Sequence, residues 1–271
     1  MAIISSLEQL LLLGTLLVLI GYRLFSRRLD THAAKHDFTK RYLLWPAAAL
    51  MVMDVGQTLC YNGTRLLTEN VPHHNFGTAL DAALPLIPLF IVFYLMAYAV
   101  LVWAPFYLTL VGGSALIRKY LVSLTVLFTI SAIIYLVAPN DVPHAWTPAE
   151  YAQHTGFFDR LLQFMYDSDV ASNGLPSLHN AHIWLPFFLI LFNDTSPAPR
   201  KALHLLPVGV LGVLISLSTL FCKEHYLVDV VFSIALVALI AWLTRKLFNK
   251  HPEEHPEERP PSAESAIIAP N

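Results

Sequence analysis

The sequence predicts an all-α integral membrane protein of about seven transmembrane helices, and three observations carry that expectation. Of its 271 residues, 56% are hydrophobic and only 13% charged, against roughly 25% charged in an ordinary soluble domain. Mean hydropathy is +0.56, and the apolar residues gather in runs close to the roughly 20 residues that one membrane crossing needs. Fourteen of the 17 lysines and arginines fall in alternate connections between those runs, which is the bias that the positive-inside rule gives to cytoplasmic loops. A formal net charge of −2 supplies no basic excess for a phosphate backbone and argues against nucleic acid as a partner. The only cysteines are Cys60 and Cys222, too few for a disulfide framework or a thiolate metal cluster.

The expected spans run Leu7 to Phe25, Leu43 to Cys60, Leu84 to Leu110, Tyr120 to Ala138, His179 to Phe192, Leu203 to Cys222 and Tyr226 to Phe248. The first reads as a retained anchor, because its basic residues follow the apolar run and Glu8 lies at its start, unlike a cleaved leader. Arg23, Arg27, Arg28, Lys35, Lys40 and Arg41 follow it; Arg118 and Lys119 follow the third span, Arg200 and Lys201 the fifth, and Arg245, Lys246, Lys250 and Arg259 the seventh. Only Arg65, Arg160 and Lys223 lie opposite, so the amino terminus is expected outside and the carboxyl terminus in the cytoplasm. Three segments follow: an N-terminal span with its basic cytoplasmic loop over 1–41, a catalytic core over 42–250, and a tail over 251–271 rich in proline and glutamate, expected to be disordered.

The outer segments, 61–83, 139–178 and the short turn at Lys223 and Glu224, hold seven of the twelve histidines once the first turn of each following span is included. In the long outer segment Thr147, Pro148 and Glu150 form a capping-box signature. An amphipathic helix with the stripe Phe157, Phe158, Leu161, Leu162 and Met165 is expected after it, with Trp146, Tyr151 and Tyr166 suited to a membrane interface.

Two clusters at outer span ends carry chemistry. In Asn173-Gly174-Leu175-Pro176-Ser177-Leu178-His179, Pro176 marks a helix start whose free amides and dipole favour an anion. Ser177 adds a hydroxyl, and His179 a group that exchanges protons near neutral pH. In Ser218-Thr219-Leu220-Phe221-Cys222-Lys223-Glu224-His225-Tyr226-Leu227-Val228-Asp229, His225 and Asp229 are four apart and share a helix face. The carboxylate can hold one imidazole nitrogen and leave the other free to attack, while Lys223 supplies positive charge for a phosphoryl group. An aspartate inside a span is costly and reads as functional. His179, His182, His225 and Asp229 are also of the right types for zinc, but the Pro-Ser turn and the lysine suit an anion better than a cation. A transporter or scaffold lined by the same residues is the competing class. Its ionisable groups would be expected near the midplane instead of at one face.

Pro176-Ser177-Leu178-His179 and Ser218-Thr219-x5-His225-x3-Asp229 resemble the second and third signatures of the type 2 phosphatidic acid phosphatase superfamily. Leu178 in place of glycine, and Lys-Glu-His-Tyr over 223–226, look more like the branch that contains inositol phosphorylceramide synthase. The resemblance implies a six-helix core with the first span as an addition. It implies that His225 attacks phosphorus, Asp229 orients it, and His179 protonates the leaving oxygen. Ser177 and main-chain amides such as that of Leu178 would hold the phosphoryl oxygens, with Lys223, Ser218, Thr219 and His144 completing the phosphate site. No metal or other cofactor is implied, and the substrate would be a lipid phosphate or phospholipid, hydrolysed or passed to an alcohol. The family's first signature, Lys-x6-Arg-Pro, has no counterpart in 138–146, and its third-signature arginine is Thr219 here.

Other polar residues receive structural expectations. Asp54 and Gln57 are expected as a buried pair within the second span. Asn62-Gly63-Thr64, although a glycosylation sequon, is expected as a turn. Cys60 and Cys222 lie at outer span ends, where sequence alone does not establish a disulfide.

Overall fold

A computed structural model describes residues 44–169, 171–193 and 198–250. The first expected span, the basic loop after it and the tail over 251–271 lie outside the described residues. Among the described residues the fold is all-helical, with no strand. Helix α1 (Trp45–Gln57) continues through a π-helical turn (Thr58–Gly63) into α2 (Thr64–Thr68). There follow a short α3 (Ala79–Ala83), the long α4 (Ile91–Val137), α5 (Phe157–Ser168), α6 (Leu178–Leu191), α7 (Ala198–Phe221) and α8 (Leu227–Lys250).

The expected turn at Asn62-Gly63-Thr64 is therefore helix. Thr64 is buried and its hydroxyl donates to the Cys60 carbonyl, so the second span runs on beyond its expected end at Cys60. The tertiary contact that favours this is Asn173, whose side-chain amide donates to the Tyr61 carbonyl (2.9 Å) and to Thr64 Oγ1 (3.2 Å). Asp54 is exposed and Gln57 half-buried, so the expected buried pair is not formed.

Among the described residues, three helices are long and apolar enough to cross a membrane: Pro88–Val137, Lys201–Phe221 and Leu227–Asn249. The first spans 50 residues, and it cannot run straight. Tyr94 reaches His179 and Tyr135 donates to the Pro176 carbonyl, yet 41 residues of straight helix would separate those tyrosines by about 60 Å. Gly113, with φ 62° and ψ −158°, takes a conformation open to glycine and reverses the chain there. Its two arms, 91–112 and 114–137, then run antiparallel, and a single residue replaces the expected connection over 111–119. At the far end of the arms Tyr107 bonds His204 of α7 (2.8 Å) and Arg118 lies over the Trp45 ring.

Helix α6 sits at the centre, packed on α4, α7 and α8, while α1 packs on α4. Most of its residues are buried, while Trp184, Phe187 and Phe188 are partly buried and Leu191 is exposed. Its 14 residues span about 21 Å, less than the ~30 Å of a hydrocarbon core, so the expected fifth span is shorter than a crossing.

Around this centre the distribution of polarity is that of a protein solvated by lipid. Polar pairs such as Ser123 with Thr244 (3.0 Å) are internal, and Val231, Phe232, Leu239, Trp242, Leu243 and Leu247 of α8 are exposed. Helix α5 is capped at a place the sequence reading did not mark: Gly156 N–H donates to Asp159 (3.0 Å). Its buried stripe is Leu162, Met165 and Tyr166, whereas Phe157, expected inside, is exposed together with Phe164. The capping box at Thr147 and Glu150 forms as expected, but it starts only the 3-10 turn Pro148–Gln153.

A Cβ on Gly56 would overlap the Phe128 ring, while one on Gly63 would meet only the Thr58 carbonyl at 3.9 Å. Gly56→Leu is therefore expected to destabilise the α1 to α4 contact by about 1–3 kcal/mol. Gly63→Ala is expected to be neutral or slightly stabilising. Thermal unfolding of the two variants in detergent checks the pair.

Candidate active site

Helix α8 begins directly after a turn in which Lys223 takes a positive φ of 57°. Its N-terminus is fixed from two sides. Asp229, in the first turn, reaches back so that Oδ2 accepts the Tyr226 N–H (2.8 Å), the returning half of a capping box. Asp81 Oδ1 accepts the Leu227 N–H (2.7 Å), while its Oδ2 accepts from the Thr78 N–H and hydroxyl. Burial alone would raise the Asp81 carboxyl, but these hydrogen bonds outweigh it and hold the group below its usual range. His225, two residues before Leu227, is thereby aimed with Nδ1 3.6 Å from Asp229 Oδ2 and Nε2 3.5 Å from His179 Nδ1.

His179 is held in turn by two tyrosines of α4. Tyr98 Oη lies 3.0 Å from Nε2 and Tyr94 Oη 3.5 Å from Nδ1, and both rings pack on the imidazole. The Tyr98 hydroxyl is able to donate to Nε2, an arrangement that would leave the ring proton on Nδ1, the nitrogen that faces His225. His225 Nε2 and His179 Nδ1 thus face each other, with Asp229 Oδ2 behind the His225 ring at 3.6 Å, beyond a direct hydrogen bond.

The family model of the PAP2 superfamily matches residues 116–253, just over half of the chain. The chain belongs to the PAP2 superfamily. Membership suggests a membrane phosphatase or phosphotransferase acting on lipid phosphates. Neither the comparison with curated proteins nor that with solved structures gives a match.

The matched region includes both signatures, and this PAP2 protein brings their histidines together through one buried side chain. Asn180 Nδ2 donates to Ser177 Oγ (3.0 Å) and to Thr219 Oγ1 (3.1 Å), and its Oδ1 accepts from Ser216 (2.6 Å). Thr219 in turn offers its carbonyl to the N–H groups of Glu224 (3.0 Å) and His225 (3.1 Å). Ser177 is the N-cap of α6 and its oxygen also accepts the Asn180 N–H; its own O–H makes no bond among the described residues. The amides of Leu178 and His179 lie in the first turn, where no intrahelical acceptor exists.

The remaining residues expected at the phosphate site are placed differently. Ser218 donates to the Ile215 carbonyl (2.7 Å) and Thr219 to the Ser216 carbonyl (2.9 Å), so both hydroxyls turn into α7. Lys223 Nζ donates to the Asp81 and Leu84 carbonyls (2.7 and 2.6 Å), which ties α3 to the turn before α8. His144 stacks on Tyr166 and lies 3.8 Å from Glu224. His182 packs beside Phe128, with neither ring nitrogen hydrogen-bonded. No group of three or more His, Cys, Asp or Glu placed to hold a metal ion occurs among the described residues. Cys60 and Cys222 are both buried and free.

Sequence reasoning missed Tyr94 and Tyr98, although their spacing of four places two hydroxyls on one face of an apolar span. It also missed Asn140, which is 1% exposed. Asn140 Oδ1 accepts the Leu175 N–H (2.9 Å) and its carbonyl accepts the Asn173 N–H (2.8 Å), which holds the turn before Ser177. Glycine at 174 is needed there, because a Cβ would meet Val142 at 2.6 Å and Asp229 Oδ2 at 3.3 Å. No local pattern marks Asn140, since its partners are 33 to 35 residues away.

The loop beneath this turn has a titrating anchor. His73 Nδ1 bonds Asp141 (2.7 Å) and Nε2 bonds the Thr68 carbonyl (3.0 Å). Both partners are acceptors, so the ring is doubly protonated, and the bond to Asp141 raises its pKa above the ordinary 6.5 against the opposing effect of burial. A raised pKa in the folded state contributes stability that is complete below 6.5 and is lost as pH rises through the raised value. The melting temperature of the wild type is expected to fall over that window, and Asp141→Asn is expected to flatten the profile. A Tm series against pH for both proteins is the check.

Proposed function

We propose that this PAP2 protein cleaves or transfers the phosphoryl group of a lipid phosphate through a phosphohistidine intermediate at the outer membrane face. The observation that carries the reading is the opposition of His225 Nε2 and His179 Nδ1 at 3.5 Å with a buried carboxylate behind the first ring. His225 Nε2 attacks phosphorus, the bond from phosphorus to the lipid oxygen breaks, and the His179 Nδ1 proton passes to that oxygen. Water or an alcohol then gives its proton to His179 and attacks phosphorus, and the P–N bond breaks. Asp229 keeps the attacking lone pair on Nε2 and stabilises the imidazolium that forms. The Ser177 hydroxyl and the amides of Leu178 and His179 hold the non-bridging oxygens. Lys223 contributes its charge from two residues before His225 while holding α3, and no metal ion or other cofactor takes part.

Hydrolysis and transfer share their first half. The lack of the family's usual phosphate-binding Lys and Arg, together with Leu178 and the Lys-Glu-His-Tyr turn, favours a head-group phosphotransferase of the inositol phosphorylceramide synthase type as the second reading. A six-helix core preceded by one extra span would place the two signatures outside and the carboxyl terminus in the cytoplasm, as the distribution of basic residues supports.

Phosphate release by purified protein in detergent with EDTA, across a panel of lipid phosphates, is expected for the wild type. His225→Ala should lower the rate by more than about a thousandfold, and Asp229→Asn by about 10²–10⁴-fold, with membrane insertion and melting retained. Transfer to an added alcohol in place of release identifies the second reading. Unchanged function in His225→Ala points to a transporter or scaffold. For topology, a cysteine at Ala149 is expected to label from outside intact cells and one at Ala263 to remain unlabelled, and the reverse pattern overturns the proposed face.

A further inference from the structure

Helix α5 presents three different sides, which follow from its sequence at about 100° per residue. Leu162, Met165 and Tyr166 fall within about 100° of one another and are the buried side. Asp159, Arg160, Gln163 and Asp167 span about 100° on a second side, which is polar. Phe157, Leu161 and Phe164 fall within about 60° on a third. Phe157 is 71% and Phe164 52% exposed, with Leu161 half-buried between them. Ser168, next along this third side, returns its hydroxyl to the Phe164 carbonyl (2.7 Å), so the polar group there is satisfied within the helix. Of the nearby residues suited by type to a membrane interface, Tyr166 is buried and Trp146 stacks on His154.

The level of α5 decides what covers its third side. Met165 Sδ lies 3.9 Å from Tyr98 Oη, and Tyr98 stands ten residues into the helix Pro88–Val137, which is long and apolar enough to cross a membrane. That is about 15 Å from the start of the helix, and although the side chain leans back toward that start, its hydroxyl lies beside the helix and not beyond its end. Tyr166 donates to the Cys222 carbonyl (2.7 Å), one residue past the second such helix, Lys201–Phe221. Helix α5 also packs on the turn Pro88–Phe90, where the first begins, and Leu89 of that turn is itself exposed. An uncharged phenylalanine stripe at this level, beside a polar side and a protein-bound side, is the arrangement of a helix lying in the surface of a bilayer.

We propose that α5 is an interfacial helix. Phe157, Leu161 and Phe164 enter the acyl chains of the leaflet on the side of the histidine pair, and the polar side faces water. Through its buried side the helix touches Tyr98, which lies 3.0 Å from His179 Nε2, so one element joins the bilayer to the site. It forms the threshold over which a lipid places its head group at the histidines while its tails stay in the leaflet. That second role rests on the phosphohistidine reading above; the contact with acyl chains does not.

The test attaches a cysteine-linked fluorophore to Phe157→Cys, Phe164→Cys or Arg160→Cys in the full-length protein in lipid vesicles. The wild type, whose two cysteines are buried, serves as blank. Spin-labelled lipid is expected to quench the probe at 157 and 164 and aqueous iodide to spare it, with the reverse pattern at 160. The double variant Phe157→Ser, Phe164→Ser is expected to lower kcat/KM on lipid phosphate in vesicles by about tenfold, as loss of buried phenylalanine surface implies. On a short-chain lipid phosphate free in solution it should match the wild type. Iodide quenching at 157 and 164 equal to that at 160 overturns the acyl-chain contact. So does a Phe164→Cys protein that is shielded from both quenchers and oxidises to a disulfide dimer, which would place a second copy there. Lipid quenching with both substrates affected alike, or with neither affected, overturns the role as threshold. Absence of turnover by the wild type on any lipid removes the phosphohistidine reading, and the quenching pattern still decides the contact.

Discussion

The hydrogen bond from Asn180 to Thr219 is the contact on which the arrangement of the site depends. One end of it is set in the first turn of α6, where Asn180 also binds the N-cap Ser177. At the other end the Thr219 carbonyl receives the amides of Glu224 and His225. His179 lies in α6 and His225 in the turn before α8, 46 residues apart, so their 3.5 Å approach is a tertiary distance that this bond transmits. The Asn180 side chain is fully buried among apolar neighbours, where an unmade hydrogen bond is expensive and a complete network fixes a single geometry. Trp184 and Ser216 extend the network along the face between α6 and α7 (3.0 Å).

A second constraint acts on the start of α8. Three side chains converge on one short segment: Asp229 on the Tyr226 amide, Asp81 on the Leu227 amide, and Lys223 on the carbonyls that close α3. Two carboxylates at a helix N-terminus satisfy amides that have no helical partner and oppose the positive end of the dipole. Asp229 therefore has a structural task and a position behind His225 at once. Lys223, a natural candidate for phosphate when only the sequence is considered, has a structural task of its own.

These constraints leave an unusual electrostatic balance beside the histidines. The cations common to the family are absent from the corresponding stretches of sequence, and burial raises the carboxyl of Glu224, the neighbour of His225 in the chain, above the usual carboxylate range. A site of that kind gives a doubly charged phosphate less attraction than a cationic cradle would.

The sequence by itself determined the class of protein and the motifs. Apolar run length and the bias of basic residues made a helical membrane protein legible, and α7 and α8 begin and end within a few residues of the expected sixth and seventh spans, because in lipid every such run must bond its own backbone. The spacing of His225 and Asp229 was equally local, although the helix begins only at Leu227 and His225 stands in the turn before it. Tertiary structure decided what depends on partners distant in the chain. The helical course through Asn62-Gly63-Thr64 is favoured by Asn173, the reversal of α4 uses one glycine, and the turn before Ser177 is held by Asn140. The same distinction separates the site residues: a residue type states what a side chain is able to do, but whether Lys223, Ser218 or Thr219 faces a substrate or a carbonyl of its own fold is set by which acceptor lies closest in space.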